Sequence, residues 1–167
     1  MSSIFVKEVR EWNTPIIGAY LLWCFSKGFC EKHPKGASPI VIFHFIASAI
    51  LTNEMFSQHI SGRRPNLESY IRGFNDEKKS DIFVTLQHRI IERRLYTMSS
   101  IDIAVATGLL AWDKETVTLH PFIINKKRSK FHISIPMKKL GKKSEILGGW
   151  FSYHSVSSLT TYLGITL

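Results

Sequence analysis

The sequence predicts a mainly α-helical fold with a small β-hairpin or sheet, an α+β class. Three observations carry that expectation. Apolar residues recur at three- and four-residue spacing, or run unbroken, along most of the chain. Residues that start and stop helices bracket those runs: Thr14-Pro15, Ser38-Pro39, Asn66, Ser155 and Gly164. The period switches to two only around 110–119, where β-branched and polar residues alternate about Asp113-Lys114-Glu115. Apolar residues are 44% of the 167, enough for a buried core and too many for a wholly disordered chain.

Taken in order, residues 1–12 are mixed, with Ile4, Val6 and Trp12 as packing contacts. Asn13-Thr14-Pro15 opens a first helix, a polar cap followed by proline in the first turn, expected to run to about Cys30. Ile16, Ile17, Tyr20, Leu21, Trp23, Cys24 and Phe29 lie nearly all round it, so it should be central. His33 to Pro39 is a loop, and a second helix begins after Ser38 with Pro39 in its first turn. The apolar run Pro39 to Leu51 is 13 residues, against about 20 for a membrane crossing, so a buried helix is expected. A break near Thr52-Asn53 precedes a continuation from Glu54 to Ile60. Ser61 to Pro65 is a loop, Asn66 caps a helix over Leu67 to Phe74, and Asn75 to Lys79 is a turn.

Ser80 or Asp81 opens the next helix. Ile82, Phe83, Leu86, Ile90, Ile91 and Leu95 form one amphipathic face, with Arg89, Arg93 and Arg94 on the other. Ser99-Ser100 caps a further helix, Ile101 to Leu109. The hairpin follows, and Phe131 to Ile135 offers another short strand. Met137 to His154 returns to helical spacing, with Gly148-Gly149 read as a site of close helix packing. Ser155 then caps a last helix that ends at Leu163, closed by Gly164. The chain divides into an N-terminal helical region, 1–79, and a second region, 80–167, expected together as one compact domain. Helix, helix, hairpin after residue 80 is the order of a winged-helix unit. Its recognition helix would be Ile101 to Leu109. That segment has no Arg, Lys, Asn or Gln to read purine edges.

Charge is the most informative functional feature. Of a formal +9, residues 116–167 supply +7, from eight basic side chains and the single acid Glu145. Residues 1–115 hold 14 basic and 12 acidic side chains. A field that lopsided attracts polyanions. Lys126, Lys127, Arg128 and Lys130 fall in a loop between strand-like segments. Lys138, Lys139, Lys142 and Lys143 stack one turn apart, 138 on 142 and 139 on 143. These eight are the candidate nucleic-acid contacts, binding phosphate without reading sequence. A solvated lysine rim is the competing reading. Trp112, Phe131, Trp150, Phe151 and Tyr153 fall in or beside the basic third and are expected in the core ahead of base stacking.

No catalytic constellation emerges. Seven histidines show no metal-motif spacing, and HExxH, CxxC, GxxxxGK[ST] and GxSxG are all absent. His44 reads as a hydrogen-bonded core residue, and His88 with Glu92 as a surface helical pair. Cys24 and Cys30, six residues apart, would sit about 600° round a helix with ~9 Å of rise, so free thiols are expected. No secretion signal is expected. The chain reads as a cytoplasmic protein with no cofactor, no metal and no enzyme activity of its own.

Three segments carry a family resemblance. They are Asn13 to Phe25; His33-Pro34-Lys35-Gly36 leading into the apolar helix through His44 and Phe45; and Ile101-Asp102-Ile103-Ala104 with Gly108-Leu109-Leu110, Gly148-Gly149-Trp150-Phe151 and Leu163-Gly164-Ile165. Together they resemble the small middle-component proteins of bacterial three-component ABC-ATPase conflict systems, with the small subunit of Lamassu-type anti-phage and anti-plasmid defence complexes as the nearest relative. The resemblance implies a non-catalytic subunit that sits with an SMC- or Rad50-like ATPase and an effector, often a nuclease. The assembly would sense foreign double-stranded DNA and release the effector. The basic third would face DNA, and the apolar helices would form either the partner interface or the core. The alternative is a stand-alone winged-helix DNA-binding regulator.

Overall fold

The computed structural model describes residues 14–124 and 133–167. The first helix, α1 (Pro15–Lys32), is the axis of the fold. Pro15 occupies its first turn, where the missing N–H costs nothing. Leu21, Leu22, Cys24, Phe25 and Phe29 are all buried, as the all-round apolar pattern requires, although Ile16 at the end is 68% exposed. The chain leaves α1 through His33, whose Nδ1 accepts the backbone N–H groups of Lys35 and Ala37 at 3.1 and 3.2 Å.

The second helix, α2 (Val41–Leu51), starts later than its proline suggests. Pro39 precedes the cap residue Ile40, and both are extended along the hairpin. The Pro39 carbonyl accepts from Leu119 N, and Val41 N donates to the Val117 carbonyl. Pairing with a strand thus satisfies groups that a side-chain cap would otherwise serve. After Thr52 a single turn, α3 (Glu54–Ser57), is capped by the Asn53 side chain at Met55 N, and it stops short of Ile60. Asn66 caps α4 (Leu67–Asp76) by accepting from Ser69 N at 2.9 Å, and the helix runs two residues past Phe74.

Two helices follow almost without a break, α5 (Ile82–Glu92) and α6 (Arg94–Ala106). The expected cap at Ser99-Ser100 is instead mid-helix. Ser100 Oγ donates to its own Tyr96 carbonyl at 2.8 Å, which removes its reason to end a helix. The hairpin pairs β1 (Leu110–Asp113) with β2 (Thr118–Pro121), antiparallel, Leu110 opposite Pro121 and Asp113 opposite Thr118. Asp113 Oδ1 closes its turn on the N–H groups of Glu115 and Thr116. Helix α7 (Ile135–Phe151) begins at a residue expected in a strand, since Pro136 is well placed in its first turn. Phe131 and His132 lie outside the described residues. Ser155 caps α8 (Val156–Leu163), and Gly164 closes it in the left-handed region at φ 66°.

Helix α1 packs along α7 on one side and α6 on another, with α2 and β2 closing the remainder. Phe25 meets Phe151 edge-on at 5.4 Å, and Phe43 meets Phe151 at 5.8 Å. This aromatic centre continues through Phe56, Tyr70 and Phe74. The two apolar N-terminal helices are therefore core, covered by the chain's own second half. Among the described residues, no helix is long and apolar enough to cross a membrane.

Candidate nucleic-acid interface

Helix α7 has two faces of opposite character. One is built to touch α1. Gly141 lies under the Tyr20 ring, Ser144 Oγ donates to the Leu21 carbonyl at 2.5 Å, and Gly148 meets the α1 backbone. Glu145, the one acid of the basic third, faces the same way and pairs with Lys27 of α1 at 2.8 Å. Partial burial works against the Lys27 ammonium, but the Glu145 hydrogen bond and charge outweigh it and hold its pKa above the ordinary lysine range. Lys27 Nζ also sits 5.0 Å from the Trp23 ring centroid.

The outward face carries Lys138, Lys139 and Lys142, all exposed. Among the described residues no carboxylate comes within ion-pair distance of these three. With Glu145 taken by Lys27, their charge is left to solvent or to an anion. Like charges one turn apart repel, and a bound phosphate relieves that repulsion.

Lys143 is different. It is half-buried and donates from Nζ to the Ser57 carbonyl at 2.9 Å, tying α7 to the end of α3. Spacing alone groups it with the other three, and only the approach of α3 separates it. The remaining candidates, Lys126, Lys127, Arg128 and Lys130, lie outside the described residues.

Of the aromatics, Trp150 and Phe151 are buried as expected. Trp112 and Tyr153 are not core, being 46% and 66% exposed. Among the described residues, His88 lies on the surface and His44 in the core, as read from the sequence. His88 Nε2 pairs with Glu92 at 3.0 Å, and His44 is fully buried against Ser26 Oγ at 2.7 Å. No group of three His, Cys, Asp or Glu among the described residues could hold a metal ion. Cys24 and Cys30 are both free. Burial pushes the Cys24 thiol up to about 12 and raises Cys30 as well, so neither is poised as a thiolate nucleophile.

No curated protein and no solved structure matches this chain. The family described as ABC-three component (ABC-3C) system Middle Component 3 matches residues 2–167. With nearly its whole length matched, the chain belongs to that family of middle components.

Proposed function

We propose that this chain is a non-catalytic accessory subunit of an SMC/Rad50-like ABC-ATPase complex, working in the cytoplasm with an effector, most simply a nuclease. In this reading the complex senses foreign double-stranded DNA, and the subunit helps couple that event to the effector, as in Lamassu-type defence. Family membership supports the partnership with an ATPase. The observation that carries DNA contact is the exposed, unneutralised row Lys138, Lys139 and Lys142 on α7. The basic segment Lys126, Lys127, Arg128 and Lys130 precedes that row in sequence and would add to its charge. The segment 101–109, which would be the recognition helix of a stand-alone regulator, presents Asp102 and Val105 to solvent and has no Arg, Lys, Asn or Gln to read bases, which favours this reading over that one.

The test is co-expression with the neighbouring ABC ATPase, followed by duplex binding of the complex across a salt series. The wild-type chain should co-elute with the ATPase. Lys138→Ala/Lys139→Ala/Lys142→Ala should weaken binding evenly across sequences. It should also lower the log–log salt slope by about 0.9 for each phosphate left without its lysine. Lys143 is left intact because it holds Ser57. An unchanged slope in the triple variant would reduce the row to a solvated rim. A second expected result concerns catalysis: the purified subunit hydrolyses neither ATP nor nucleic acid. Metal-dependent cleavage abolished by one Asp or Glu substitution would overturn the accessory role.

A further inference from the structure

Helices α5 and α6 carry a second row of large apolar side chains on the outside, besides those that pack into the core. The inward stripe is Leu86, Ile90, Arg93, Thr97, Ser100 and Ala104, of which Leu86, Thr97, Ser100 and Ala104 are fully buried. It narrows to small residues because α1 comes close there: Gly18 meets Ser100. The outward stripe keeps the same alternation of four and three residues: Val84, His88, Ile91, Leu95, Met98, Asp102 and Val105. Its apolar members are 79%, 58%, 71%, 48% and 39% exposed, in chain order. At the junction Arg93 leaves helical geometry, with φ -86° and ψ 2°, but hydrogen bonds four residues back persist there, Arg93 N to Arg89 O and Thr97 N to Arg93 O, both 2.9 Å, and the exposed apolar row continues on both sides. The result is three heptads of a seam that nothing among the described residues covers.

The order of residue types says what would cover it. About Leu95 the stripe is a palindrome. Ile91 mirrors Met98, Val84 mirrors Val105, and His88 mirrors Asp102, a base opposite an acid. A two-fold axis at Leu95, with helices antiparallel, sets His88 near Asp102 of the partner subunit and the reverse pair on the other side. Identical surfaces that complement themselves in this way make an isologous interface. We propose that the α5–α6 seam is a homodimer interface, occupied by a second copy of this chain. His88 already leans on Glu92 of its own helix at 3.0 Å, which holds its ring on this exposed face. The proposal does not depend on the DNA or ATPase reading, since it needs only the purified chain.

The experiment is sedimentation equilibrium of the full chain at up to about 100 µM, enough to populate a micromolar dimer. The wild-type protein should show twice the mass of the 167-residue chain. Leu95→Glu should be monomeric, and at concentrations low enough for the wild type to be monomeric too its thermal melt should be unchanged, because that side chain is 71% exposed in the single chain. His88→Asp places two acids face to face across the axis and should weaken the dimer at least ~10-fold. His88→Asp/Asp102→His restores the pair and should recover most of that loss. Any cost of setting a second acid beside Glu92 is common to both variants. A wild-type monomer throughout the range would overturn the proposal and leave the seam to a different partner. Failure of the swap to rescue would overturn the antiparallel two-fold.

Discussion

Gly148→Val is expected to leave the protein unfolded, and Gly148→Ala or Gly28→Ala to cost about 2–3 kcal/mol each. Helices α1 and α7 cross with their backbones touching. A methyl on Gly148 would overlap the Phe25 carbonyl, and one on Gly28 the Glu145 carbonyl. These obstacles are main-chain atoms, so relief requires moving one helix away from the other. That movement would also break the Ser144 hydrogen bond to the Leu21 carbonyl and loosen Phe151 from Phe25. Alanine gains up to ~1 kcal/mol of helix propensity over glycine, which offsets only part of the loss. Valine adds two more carbons to the same overlap, and the total approaches the ~5–15 kcal/mol stability of an ordinary domain. Gly62→Ala is the control, because the nearest atom to its added methyl is Ile146 Cδ1 at 3.9 Å. Urea midpoints measure all four variants. If Gly148→Ala unfolds at the wild-type midpoint, the α1–α7 crossing is looser than described.

Close helix packing at Gly148-Gly149 was legible in the sequence, because a glycine pair inside a helical pattern before Trp150 has few other uses, but its partner α1 and the matching approach at Gly28 were not. Helix ends with local chemistry were legible too. Asn66 and Ser155 cap through their own side chains, and Gly164 takes the left-handed conformation. Ends decided by distant contacts were not. Pro39 reads as a first-turn proline, yet β2 draws it and Ile40 into an extended segment. Ser99-Ser100 reads as a cap, yet Ser100 is satisfied within the helix and fills the space beside Gly18.

The phase of α5 and α6 is the largest departure. Periodicity alone puts Leu86, Ile90, Ile91 and Leu95 on one buried face. In the fold Ile91 and Leu95 point to solvent, and Arg89 and Arg93 are half-buried. Arg93 packs its guanidinium 4.0 Å from the Tyr96 ring centroid, an arrangement that lets a charged residue occupy an inward position. Two apolar stripes a half-turn apart cannot be ranked by periodicity. The small residues Ser100 and Ala104 decide, because only they admit α1. In the basic face, composition identifies the lysines of α7, and tertiary contact sets Lys143 apart from the exposed three.

Acid should weaken this protein through one residue in its core. His44 is fully buried, with Nδ1 donating to the Ile40 carbonyl at 3.2 Å and Nε2 accepting from Ser26 Oγ at 2.7 Å. That pair of bonds fits the neutral ring, with its proton on Nδ1. Burial lowers its pKa from 6.5 to about 4. Above pH 6.5 the residue is neutral folded and unfolded, and its effect on stability does not vary. Between pH 6.5 and 4 the unfolded chain takes up a proton that the fold refuses, so stability falls as pH falls. At 1.36 kcal/mol per unit the loss totals about 3 kcal/mol, complete below pH 4. The change Ser26→Ala/His44→Leu removes both partners and leaves no orphaned hydroxyl, so it should fold at pH 7. Urea unfolding of both proteins at steps from pH 7.5 to pH 4 makes the comparison. The wild-type curve should descend more steeply, by about 3 kcal/mol in total, and the two should run parallel above pH 6.5. Parallel curves down to pH 4 would mean that the folded core accepts a charged His44.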